Sequence, residues 1–167
     1  YLIDVRYEIA NGSNNPVNMA FFGQIKRDGR PPLFQVDNAM GLKPYLGIAT
    51  RTQEDLYDKI DLSDLEDGAY QQDFTGGYIA FLQHYFLSAW VPAQSDSVRY
   101  YARALEVTDE PEQNVYTLGF TSGVLTVAQG GRGQLGGSFY AGPKNQTTLA
   151  EIAKGLDLTV DYGFLWF

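Results

Sequence analysis

The sequence predicts a mostly β protein: a sandwich of antiparallel sheets followed by a C-terminal helical appendage. Three observations carry that prediction. Aromatic residues that favour strands are abundant, with 12 Tyr and 10 Phe. The 18 Gly fall with Asn, Asp, Ser and Pro between short apolar runs, the punctuation of a strand-and-turn chain. Full helix start and stop signals occur once, near the C-terminus. Apolar residues are 44% of 167, enough for one domain with a real core.

In chain order, residues 1–9 read as a strand, the cluster Asn11-Gly12-Ser13-Asn14-Asn15-Pro16 as a turn, and residues 17–25 as a second strand. The two form either a hairpin or a crossing between sheets. Residues 27–32 read as loop, with the turn signal Asp28-Gly29 and two prolines that remove ladder donors. Pro44 and Gly47 limit residues 42–50 to a short strand. Residues 53–67 hold seven carboxylates against one lysine, with Leu56, Ile60 and Leu65 spaced for one side of a short solvated helix. A helix-loop-helix calcium site would need a loop glycine and a closing Glu that this run lacks.

Residues 76–92 are the strongest apolar block, interrupted only by Gln83, His84 and Ser88. They predict a long central strand, or two collinear ones, covered on both faces. Parity puts Ile79, Phe81, Tyr85 and Leu87 on one face and Tyr78, Leu82, His84, Phe86 and Trp90 on the other. Residues 97–107 read as a half-exposed strand with Tyr100 and Ala102 on one parity and Arg99, Tyr101, Arg103 and Leu105 on the other. After a charged turn at 109–113 come strands at 115–120 and 124–128, the loop Gly130-Gly131-Arg132-Gly133, and a strand at 134–141. Residues 147–154 predict a helix, with Thr148 as N-cap, Glu151 completing a capping box and Gly155 as C-cap. Residues 1–146 are thus the sandwich portion, and 147–167 the helix plus an extended tail.

Charge and composition narrow the function. A net charge of -8 and a pI near 4.5 disfavour nucleic acid and an anionic bilayer surface, which call for Lys and Arg. Without cysteine there are no disulfides or thiolate metal sites. One histidine, His84, falls short of a zinc set and accompanies no nucleophile motif; it reads as a packed core or edge residue. Gly130-Gly131-Arg132-Gly133 lacks the Lys-Ser/Thr ending of a phosphate loop. No catalytic residue, metal or cofactor is assigned. Asp157 and Asp161 flank Thr159 on one parity of the predicted extended tail.

The chain starts in mid-pattern at Tyr1-Leu2-Ile3 and finishes on Tyr162-Gly163-Phe164-Leu165-Trp166-Phe167. Each buried Phe or Trp contributes about 2–3 kcal/mol, so such a tail is expected to continue toward something apolar, and aromatic residues concentrate at membrane interfaces. Both ends read as cuts in a longer protein.

Two blocks carry a family resemblance. One is Gly76-Gly77-Tyr78-Ile79-Ala80-Phe81-Leu82-Gln83-His84-Tyr85-Phe86 with Ala89-Trp90-Val91-Pro92; the other runs from Leu156 through Asp161-Tyr162-Gly163-Phe164-Leu165-Trp166-Phe167. With Phe22-Gly23-Gln24 and Tyr140, Gly142, Pro143 and Lys144 in the same order, they resemble the YidC-type membrane protein insertases of Gram-negative bacteria. The resemblance covers nearly the whole chain, most loosely over residues 29–73. It implies the later part of the large periplasmic domain between the first and second membrane spans of an inner-membrane protein. The implied fold is a β-super-sandwich resembling galactose mutarotase-like folds, followed by helices.

The implied role is non-catalytic, assisting insertion and folding of inner-membrane proteins, with the hydrophilic groove and arginine of the spans lying elsewhere. The implied partners are the insertase's own transmembrane spans, SecDF and other translocon components, and nascent membrane proteins, but not nucleic acid. Candidate interaction and membrane-proximal residues are Thr147, Glu151, Lys154, Asp161, Tyr162, Phe164, Leu165, Trp166 and Phe167. Gly76, Gly77, Gln83, His84, Tyr85, Trp90, Pro92, Tyr140, Gly142 and Pro143 carry the resemblance as structural residues. The alternative is a carbohydrate- or peptide-binding module on the same sandwich, with Tyr85 or Trp90 lining a concave site.

Overall fold

The computed structural model describes residues 1–31, 45–51 and 54–160. Among the described residues twelve strands occur, in the order β1 Leu2–Ala10, β2 Val17–Met19, β3 Phe22–Asp28, β4 Gly47–Thr50, β5 Asp58–Asp61, β6 Tyr70–Thr75, β7 Ile79–Leu82, β8 Phe86–Val91, β9 Ser97–Glu106, β10 Val115–Ser122, β11 Leu125–Val127 and β12 Arg132–Pro143. A one-turn helix, α1 (Asp64–Asp67), separates β5 from β6, and α2 (Gln146–Ile152) follows β12. A six-stranded sheet runs β1-β12-β8-β7-β4-β5 and a four-stranded sheet β3-β10-β9-β6, with β11-β2 as a small third pair. Every described pairing is antiparallel.

The two larger sheets close on one apolar layer. Ile48, Ile60, Ile79 and Phe81 from the wide sheet meet Val98, Tyr100, Ala102, Tyr116, Leu118 and Phe120 from the narrow one. Trp90 enters this layer too, with its ring centroid 5.9 Å from Phe21 and 6.0 Å from Phe120. Alternation works as predicted in β9: Tyr100 and Ala102 are buried while Arg99 and Arg103 face solvent. The outer face of the wide sheet is covered as well. Ala49, Tyr78, Ala80, Leu82, Leu87, Ala89, Val91 and Tyr140 pack against Leu149, Ala153 and Leu156 of the appendage. The central strands are therefore buried on both sides, which is why β7 reads as an unbroken apolar run.

Several expectations are corrected. The two predicted N-terminal strands are three, and they form no hairpin: β1 pairs with β12, β2 with β11 and β3 with β10. The 76–92 block is not collinear. It folds back as a β7–β8 hairpin, Ile79 opposite Trp90 and Leu82 opposite Leu87, closed by the Gln83 amide donating to the Phe86 carbonyl at 2.9 Å. The turn resets the parity, so Leu87 lies on the outer face and Trp90 on the inner one. Residues 53–67 do not make one helix. Ile60 is a strand residue opposite Ile48, Leu65 is buried in α1, and Leu56 is 37% exposed. Register with β4 outweighs the weak helical spacing of that acidic run. Residues 156–159 are a 3₁₀ turn, not extended, with Leu156 and Thr159 buried.

Candidate interaction site at the C-terminal appendage

The residues that carry the resemblance gather at two corners of the wide sheet. At the first, Gly76 and Gly77 adopt φ of 70° and 79°, a region that side chains disfavour. The Gly77 amide donates to the Gln94 side-chain oxygen at 3.1 Å, and the Gln94 amide nitrogen donates to the carbonyls of Gly77 (3.1 Å) and Pro92 (3.0 Å). The buried Tyr100 hydroxyl donates to Gly76 at 2.6 Å. Gln94 thus holds Gly76-Gly77 against Pro92. It sits in a polar loop with no motif around it, so no sequence signal marks it.

The second corner is the β7–β8 turn. The Gln83 side-chain amide faces the Arg27 guanidinium, and Arg27 lies 5.0 Å over the Phe81 ring. His84 is exposed, with its ring 3.9 Å from Tyr85; it is a turn residue, which corrects its placement inside the apolar strand block. The Lys144 amide donates to the Tyr85 carbonyl at 2.8 Å. The buried Tyr140 hydroxyl donates to Pro143 at 2.6 Å, and Gly142 and Pro143 pair with Leu87 and Phe86. This corner fixes where β12 ends and α2 begins.

From there the appendage is built. Asn145, not Thr148, caps α2: its side-chain oxygen accepts from the Thr148 amide at 3.1 Å. Both residue types cap well; β12 runs to Pro143, two residues past its predicted end, and α2 starts at Gln146, one residue before its predicted start. Ala153 is the C-cap, and Gly155, at φ 89°, opens the following turn, Leu156–Thr159, instead of closing the helix. Leu149, Ala153 and Leu156 point into the sheet, which leaves Thr147 and Glu151, four residues apart, on the exposed side of α2; Lys154, also exposed, lies past the C-cap. Asp161, Tyr162, Phe164, Leu165, Trp166 and Phe167 lie outside the described residues.

The concave sugar site expected of the alternative reading is not assembled from the named aromatics. Trp90 is turned into the inter-sheet core, and its indole N–H has no acceptor. Tyr85 is 59% exposed on a turn. An open groove of about 490 Å³ on the outer face runs between β1, β12 and Ile152, but none of its lining residues is aromatic. Among the described residues no group of three or more metal-ligating side chains converges, and no helix is long and apolar enough to cross a membrane.

The fold and site together define a class: an antiparallel β-sandwich whose wide sheet carries a docked helical element on its outer face. The family model for the YidC periplasmic domain matches residues 1–167. The chain belongs to that family, as the periplasmic region of an inner-membrane protein from Gram-negative bacteria. It is 43% identical over its full length to the "Membrane protein insertase YidC" of Cellvibrio japonicus and covers 29% of that protein. The protein of the same name from Saccharophagus degradans is 42% identical, with 28% covered. That from Pseudomonas fluorescens is 40% identical, with 29% covered. The chain thus spans under a third of the length of these relatives.

Proposed function

We propose that this domain is a non-catalytic part of a membrane protein insertase, assisting insertion and folding of inner-membrane proteins by docking rather than by chemistry. The observation that carries the reading is the family match across every residue of the chain. Residues 1–146 serve as the scaffold. Residues 147–167 serve as the contact element toward the membrane-embedded part and toward translocon components such as SecDF, with nascent membrane proteins as clients. Exposed Thr147 and Glu151 on α2, with exposed Lys154 just past its C-cap, support this division, because a helix held by one apolar face presents its other face to a partner. The aromatic residues Tyr162, Phe164, Trp166 and Phe167, with Leu165, are assigned the membrane-proximal contacts.

The wide sheet adds a second proposal. β1 is an edge strand with Ile3 and Tyr7 52% and 56% exposed, and Phe22 nearby is 65% exposed. Apolar residues on an open edge call for a covering layer, which the remainder of the longer protein supplies. In the isolated chain the same edge is free to pair between copies. Deleting residues 147–167 from the full-length insertase is expected to abolish or strongly reduce insertion of a single-span substrate into membrane vesicles. Undiminished insertion would refute the role given to the appendage.

A further inference from the structure

We propose that the Tyr78 hydroxyl is a positioning group for insertion: it locks the appendage to the sandwich in one register, so that both move as one body. This rests on the reading that the appendage serves an insertase. Tyr78 lies one residue before β7, is 0% exposed, and belongs to the outer apolar layer with Ala80, Leu82, Leu149 and Leu156. Its hydroxyl is 3.1 Å from the Leu56 carbonyl oxygen and 3.1 Å from the Gly155 carbonyl oxygen. A phenol has one proton, so the two acceptors share it. Three segments distant in sequence meet at that proton: the stretch before β5, the entry to β7, and the turn after α2.

The backbones pass in close contact at the same point. A Cβ on Gly155 would lie 2.3 Å from the Leu56 carbonyl oxygen, and Gly155 is at φ 89°. No ordinary side chain fits there without moving one segment off the other. Leu149, Ala153 and Leu156 supply the apolar part of this contact on the sheet. Apolar burial attracts without direction, whereas a hydrogen bond fixes distance and angle. The hydroxyl therefore adds a directional constraint at the far end of an appendage whose root is fixed at the β12–α2 corner and whose face is otherwise held by apolar burial. Burial pushes its ionisation well above the ordinary tyrosine value, so it stays a donor at neutral pH.

The experiment uses the full-length insertase carrying Tyr78→Phe, with Gly155→Ala as an independent way to separate the same two segments. Amide exchange of Ala153 and Leu156 is expected to accelerate by about tenfold or more, as for a lost buried hydrogen bond, while Ala102 and Leu118 in the narrow sheet keep their protection. Insertion of a single-span substrate, per molecule of folded insertase in the membrane, is expected to fall several-fold. The fall should track the exchange rate across both variants, which a purely structural role would not produce. Unchanged exchange in Tyr78→Phe overturns the lock. Faster exchange with full insertion overturns the positioning role; if the 147–167 deletion is then inactive, the docking function survives without it. An active deletion variant overturns both.

Discussion

In β7, Ile79, Ala80, Phe81 and Leu82 are all at most 2% exposed; in β1 of the same sheet, Leu2, Ile3 and Tyr7 are 51%, 52% and 56% exposed. Both strands carry large apolar residues and both lie in the wide sheet, three places apart in the order β1-β12-β8-β7. The difference is the number of layers over them. β7 has the narrow sheet on one face and the appendage on the other, whereas β1 has β12 along one edge and is only partly packed through Val5. A continuous apolar run thus marks a strand covered twice, and exposed apolar residues on β1 mark a flank with no cover among the described residues.

The sharpest way to break that contrast is truncation on each side of it. Phe120→Ala, in the layer between the sheets, is expected to cost about 3–5 kcal/mol. Ile3→Ala in the 167-residue chain is expected to change stability by no more than about 0.5 kcal/mol. Urea unfolding of both variants checks the difference; a large loss from Ile3→Ala in this chain would mean that β1 already has its cover.

A smaller effect tests the appendage. Asn145→Ala is expected to destabilise by about 1 kcal/mol and to speed amide exchange of α2. Thr148→Ala, at the position the sequence favoured as cap, should leave α2 almost unaffected. Equal effects would show that the cap is shared.

The smallest effect belongs to the polar outer face of the narrow sheet. Asp73 accepts from Arg99 at 2.6 and 2.9 Å, and that pairing holds the Asp73 carboxyl below its ordinary value. A lowered carboxylate pKa contributes stability above the unfolded-state pKa and loses it as pH falls through the folded one. The contribution is therefore intact at neutral pH and disappears in acid, below the usual carboxylate range. Full exposure and salt screening keep it slight. Arg99→Ala should flatten the acid limb of the stability–pH curve a little and leave the neutral plateau nearly unchanged.

Much of this molecule is legible in its residues, and what is not has a physical cause. Period-2 alternation finds β9 because only one face of that strand is buried. The hairpin in residues 76–92 escapes, because collinear strands and a hairpin share the same apolar residues and only the chain reversal at Gln83, His84 and Tyr85 tells them apart. Pairing between strands far apart in sequence, such as β1 with β12, leaves no local signature. The exposed side of α2 follows from its spacing. The roles of Gln94 and Tyr78 do not, since a glutamine in a loop and a tyrosine in an apolar block reveal nothing of which carbonyls they will meet.

The proposal that reaches furthest beyond this chain is that the β1 flank of its wide sheet is covered in the longer protein. Amide exchange of Ile3, Val5 and Tyr7, measured in the isolated chain and in the complete periplasmic region, tests it directly. The account predicts fast exchange in the isolated chain and slowing by about a hundredfold or more in the larger protein. Equally fast exchange in both would contradict it.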